Sequence, residues 1–155
     1  MSEQDPEKAG EHREFVTFIV GNQLCGIPVL KVQDVLGPQR ITRVPLAPPE
    51  VAGSLNLRGR IVTAVDLRLR MGLEPRPEED KGMSVVVEHK GELYSLVVDS
   101  VGEVLNLSAD SFETNPATLD SVWRQFSEGV YRLKEGLLVV LNGDSLLDYG
   151  NKSAA

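Results

Sequence analysis

Apolar positions in this 155-residue chain fall into short alternating runs, the spacing of strands whose successive side chains point to opposite faces. Phe15, Val16, Phe18, Ile19 and Val20 form the first run, and Gly21-Asn22 ends it with residues suited to a hairpin turn. Residues 23–29 read as the return strand and 32–36 as a third, stopped by Gly37-Pro38. Pro45, Pro48 and Pro49 mark a loop, because proline has no amide hydrogen to give to a ladder. Residues 51–57 alternate most cleanly, with Val51, Gly53, Leu55 and Leu57 on one face and Ala52, Ser54 and Asn56 on the other. Arg58-Gly59-Arg60 is the predicted turn into a partner strand at 61–65. Asp66 then caps a short helix running to Met71, and Gly72 stops it.

The second half repeats the first. Displaced by 69 positions, residues 24–29 lie over 93–98 and 32–36 over 101–105. Displaced by 76, residues 53–71 lie over 129–147, and both segments end in a capped short helix. The difference falls in 107–127, which reads as an enlarged loop, while 73–82 carries prolines and charges and reads as a linker or long surface loop. Recurrence of strand order, turns and terminal helix together predicts an all-β chain of two small barrels. The expected division is a disordered acidic tail at 1–13, one module at 14–150 with barrels at about 14–73 and 82–150, and a tail at 151–155.

Sixteen Lys and Arg against 23 Asp and Glu give a net charge of −7, which argues against a nucleic-acid binder. No apolar run reaches the length of a membrane span, so direct membrane insertion is not expected, and the chain reads as cytoplasmic. No phosphate-binding loop, dinucleotide fingerprint or nucleophile elbow is present. His12 in the tail and His89 in an exposed turn have no nucleophile beside them, and one cysteine with two histidines makes no usual zinc site. Cys25, among apolar neighbours, reads as a small buried hydrophobe. Asp66, Asp99, Asp144 and Asp148 read as caps and turn residues. No enzyme activity, metal or cofactor is expected. One asymmetry remains: between 40 and 70, six arginines face two acids, a local balance of +4. Such a span is either a solvated basic face, which the residues alone favour, or a docking face for an acidic partner.

The segment Gly53-Ser54-Leu55-Asn56-Leu57-Arg58-Gly59-Arg60 through Val65-Asp66-Leu67-Arg68 resembles the signature of CheW-like chemotaxis coupling proteins. Gly26-Ile27-Pro28, Val32-Gln33-Asp34-Val35, Arg43-Val44-Pro45 and residues 97–101 resemble the same family, and the likeness spans about 14–149. It implies two SH3-like five-stranded barrels with short helices. It also implies a non-catalytic adaptor that couples cytoplasmic tips of chemoreceptors to the regulatory domain of the histidine kinase CheA, recruited to membrane-associated receptor arrays. The alternative is a barrel-type interaction module in two-component signalling with a receptor outside chemotaxis. Carried over by position, Val32, Asp34, Asn56 and Arg58 fall at the receptor-binding site, and Arg58, Gly59 and Arg60 at the hairpin that couples to the kinase. Thr63-Ala64 stands where the family usually has proline, and Asp34 replaces the commoner glutamate.

Overall fold

In a computed structural model of the chain, which describes residues 11–147, ten strands form two five-stranded sheets. Strands β1 (His12–Val20) and β2 (Gln23–Pro28) make the first hairpin, and a 3₁₀ turn at Val29–Lys31 leads into β3 (Val32–Leu36). After a proline-bearing loop, β4 (Val51–Leu57) and β5 (Arg60–Asp66) form a second hairpin followed by helix α1 (Leu67–Arg70). Strands β6 (Met83–His89), β7 (Glu92–Val98) and β8 (Ser100–Ser108) follow. Helix α2 (Ser121–Phe126), strands β9 (Ser127–Leu133) and β10 (Gly136–Leu141), and helix α3 (Gly143–Leu147) complete the described chain. The two sheets match the expected pair of SH3-like five-stranded units. Residues 1–10, Asp148 and the expected tail at 151–155 lie outside the described residues. His12 and Arg13, assigned to the tail from sequence, instead open β1.

The internal repeat is visible, but its halves do not fold separately. One sheet has the order β8-β1-β2-β10-β9 and the other β3-β6-β7-β5-β4. Each strand of the first corresponds to the strand five places away in the second. Each sheet therefore joins the opening hairpin of one repeat to the last three strands of the other. This corrects the division at 14–73 and 82–150: one sheet is continuous from β3 to β7, and the other combines β1–β2 with β8–β10. Parallel pairs, β2 with β10 and β5 with β7, make the joins. Hydrophobic alternation identifies equivalent strands but carries no signal for which copy supplies a neighbour.

Both sheets use two faces. The central core lies between them: Phe18, Val20, Cys25 and Ile27 meet Val65, Val85, Val87, Leu96 and Val98, with Trp123, Phe126, Leu146 and Leu147 from the helices. The opposite faces close smaller cores, Leu55, Val62, Ala64, Val86, Leu93 and Val97 in one unit and Phe15, Tyr131, Leu138 and Val140 in the other. Val85 and Val87 face the central core while Val86 faces away, as strand alternation requires.

Two connecting segments are more ordered than their composition suggests. The 73–82 connection is pinned by Arg76, whose nearly buried guanidinium pairs with Asp99 (2.9 Å) and Asp66 (3.2 Å). Asp99 also pairs with Arg68 at 2.9 Å and accepts a hydrogen bond from the Gly21 amide at 2.7 Å, tying one sheet to the other. The 107–127 stretch, expected as a loop, contains α2, capped by Asp120, which accepts from the Val122 amide. Leu119, Trp123 and Phe126 fill the central core from this segment.

Candidate protein-interaction site

Arg58 and Gly59 form a two-residue turn between β4 and β5, both with positive φ (53° and 87°). That pair of conformations matches the right-handed twist of a hairpin. The carboxamide of Asn56 accepts a hydrogen bond from the Gly59 amide at 2.9 Å, so Asn56 shapes the turn from its own strand. From this tip the Arg58 guanidinium reaches Asp34 on β3, Nη2 to Oδ2, at 2.9 Å. β3 and β4 are the opposite edges of their sheet, so the ion pair clasps the two edges together.

Magnitudes show what the clasp contributes. The Arg58 side chain is 73% exposed, and pairs so exposed stabilise by about 0.2–1 kcal/mol. A non-glycine residue in the left-handed region costs about 1 kcal/mol or more. The two effects nearly cancel, so the arrangement orders a surface without adding much to stability. Lys90-Gly91 between β6 and β7 makes a turn of the same kind. The turn alone is therefore no mark of a site; Arg58 adds to it a carboxylate on the opposite edge of the sheet.

Val32 and Asp34 do not share a face. Val32 lies opposite Val87 and Asp34 opposite Val86, because a bulge between them takes up one residue. Val32 is half-buried and packs against the central core. Asp34 is turned toward the hairpin. Beside Val32 the chain exposes Leu30, at 95%, over a groove of about 430 Å³ walled by His12, Arg13, Glu14 and residues 28–31. Sequence reading passed over Leu30, whose only signal is an apolar residue in a 3₁₀ turn with no buried neighbour of its own.

The basic span divides into two uses. Arg58, Arg68 and Arg70 pair with Asp34, Asp99 and Glu50. Among the described residues no ion pair joins Arg40, Arg43 or Arg60 to an acid. The apolar side chains of Val44, Leu46 and Ile61 are exposed in the same span, with Leu46 held at φ 65°. The Thr42–Ser54 bridge lays the loop alongside β4, and Ile61 on β5 lies across from Asn56 of that strand. Arg60 opens β5 opposite Leu57, and alternation turns it to the other face of the strand from Ile61.

The remaining candidates are structural or displaced. Cys25 is fully buried, and burial, reinforced by the charge of Asp99, pushes its thiol far above the ordinary range. Asp66 caps α1 by accepting from the Arg68 amide. Burial alone would raise the Asp99 carboxyl, but hydrogen bonds from Arg68, Arg76 and the Gly21 amide hold it below its usual value. His89, expected in an exposed turn, is only 9% exposed, because it ends β6 where α3 packs over the strand. Its Nδ1 lies 3.5 Å from Asp144 on α3. Among the described residues no group of His, Cys, Asp and Glu is arranged to hold a metal. No helix among them is long and apolar enough to cross a membrane.

Comparison with known proteins agrees with the fold. The family described as CheW-like domain matches residues 14–150. The chain is 30% identical to the chemotaxis protein CheW of Klebsiella aerogenes over 135 residues, covering 87% of this chain and 81% of that protein. It is 29% identical to Protein PilI of Pseudomonas aeruginosa over 124 residues, covering 80% and 70%. The crystal structure of scaffolding protein TtCheW from Thermoanaerobacter tengcongensis superposes with a TM-score of 0.76 at 28% identity, covering 85% of this chain and 90% of that one. The chain belongs to the CheW-like family of scaffold proteins.

Proposed function

We propose that this protein is a non-catalytic adaptor that couples the cytoplasmic tips of chemoreceptors to the regulatory domain of the histidine kinase CheA. The observation that carries the proposal is the Asp34–Arg58 clasp, an exposed ion pair that adds little stability yet fixes a hairpin between two distinct surfaces. On one side lies the Leu30 groove, apolar and flanked by Arg13, Lys31 and Glu14, which suits a helical receptor tip. On the other lie Arg40, Arg43, Val44 and Leu46 of the loop beside β4, with Ile61, which together suit an acidic, partly apolar surface on the kinase. Arg58 sets the angle between the two and transmits receptor state as much as it binds. In this reading the protein sits at membrane-associated receptor arrays through its partners.

Separate binding measurements test the two surfaces. Leu30→Ser removes no buried contact and should leave stability within about 0.5 kcal/mol while weakening a receptor hairpin at least tenfold. Arg40→Glu combined with Arg43→Glu should weaken the kinase regulatory domain and spare the receptor hairpin. Unchanged affinities in both variants would refute the assignment.

The likeness to Protein PilI, a relative not named for chemotaxis, favours a second reading in which the receptor served lies outside chemotaxis. Binding of the kinase domain without binding of any chemoreceptor tip would select it.

A further inference from the structure

The buried histidine at the junction of the two sheets takes no part in the coupling surfaces described so far. His89 Nε2 is fully enclosed and has no hydrogen-bond partner among the described residues. It borders a cavity of about 30 Å³ lined by Ile27, Val87, Leu96, Leu141 and the α3 leucines, with Lys31, Glu88 and Glu128 among its other lining residues. A buried polar atom left unpaired in a native protein calls for a physical reason. The cavity shares Pro28 and Lys31 with the Leu30 groove, so one wall serves both. Val87, two residues before His89 on β6, is also the ladder partner of Val32.

We propose that His89 is a proton-responsive latch between β6 and α3 that sets the shape of the groove beside Val32 and Leu30. The proposal rests on the reading of that groove as the receptor site. A neutral imidazole carries one N–H, and the protonated ring carries two and a positive charge. Histidine is the side chain that ordinarily makes this change between about pH 5 and 8. On protonation, Nδ1–H closes on the Asp144 carboxylate of α3, and the second N–H, at Nε2, faces the small cavity, whose acidic wall is Glu128, while the Glu88 side chain alternates to the other face of β6. The new charge repels the Lys31 ammonium from the cavity wall toward the groove. Among the described residues the other charged or titratable groups around the ring are Lys90 beyond β6, and Glu92 and Tyr94 on β7, the Tyr94 ring meeting the imidazole edge-on at 6.2 Å. Closure of the latch fixes the shared wall and preorganises the groove, so receptor binding tightens as pH falls.

Two readouts test the latch. Nuclear magnetic resonance of the intact protein between pH 8 and 5.5 follows the His89 ring together with the amides of Val32, Val87 and Leu146. These amides should shift with the His89 titration and stop doing so in His89→Gln or, should that variant fail to fold, in Asp144→Asn. A synthetic helical hairpin with the sequence of a chemoreceptor tip should bind about threefold more tightly at pH 5.5 than at pH 7.5, the scale of one partly exposed ion pair. That pH dependence should vanish in His89→Gln. A His89 titration that leaves the three amides still, or a pH dependence that survives His89→Gln, overturns the latch. Absence of hairpin binding at every pH refutes the receptor reading instead, and the amide shifts then decide the latch alone.

Discussion

Arg58 shows how a single residue can be conspicuous in sequence for one reason and placed in the structure for another. The signature around it marks the position, and a turn followed by Gly59 explains the glycine. Strand alternation says nothing of Asp34, which lies 24 residues away, because the clasp depends on a bulge in β3. Arg58→Asn therefore separates turn from clasp. Asparagine suits the left-handed conformation, so the thermal midpoint should hold or rise slightly, within about 1 kcal/mol, while coupling is lost. Asp99 behaves oppositely, since its ion pairs are largely shielded. Replacing it with asparagine leaves Arg68 without its paired carboxylate and Arg76 with Asp66 alone, and should cost about 3 kcal/mol, read by denaturant unfolding. Because folding lowers the Asp99 carboxyl below its unfolded value near 4, its contribution is fully present above that value. It is lost as pH falls through the lower folded value. The wild-type acid limb below about pH 4 should accordingly be steeper than that of Asp99→Asn.

At the scale of elements, most strands were legible because alternation and turn residues agree. The hairpins at Gly21-Asn22 and Arg58-Gly59 lie where the sequence places them. Helix α2 was hidden because Pro116, Thr118 and Ser121 give its surroundings a loop-like composition, although Asp120 followed by Trp123 and Phe126 carries a cap and an apolar face. Gly53 and Gly129 are repeat equivalents, and their shared role appears only in three dimensions. At both, φ is positive, at 148° and 157°, and an added Cβ would strike the crossing loop, at the Thr42 carbonyl in one case and at Phe112 and Glu113 in the other. Gly53→Ala and Gly129→Ala should each destabilise by more than about 2 kcal/mol in denaturant melts, from strain and steric overlap together. Either variant melting like the wild type would mean that the loops yield without resistance.

For the whole molecule, the repeat predicts two alike units but not the exchange of hairpins between them. That exchange has a mechanical consequence. If the halves were independent barrels, cutting the 73–82 connection would release two folded pieces. With β1–β2 built into the sheet of β8–β10, a chain cleaved there should remain one particle in gel filtration and come apart only in denaturant. The Leu30 groove lies on β1, the end of β2 and the 3₁₀ turn that carries the chain from the first sheet to the second. The central claim is coupling, and kinase activity in a reconstituted mixture of receptor, CheA and this protein measures it most directly. Receptor-dependent activation should appear only when this protein is added, and folded Arg58→Ala should lose most of it while Arg60→Ala keeps much more. Equal activation with wild type and Arg58→Ala, or full activation without the protein, would contradict the account.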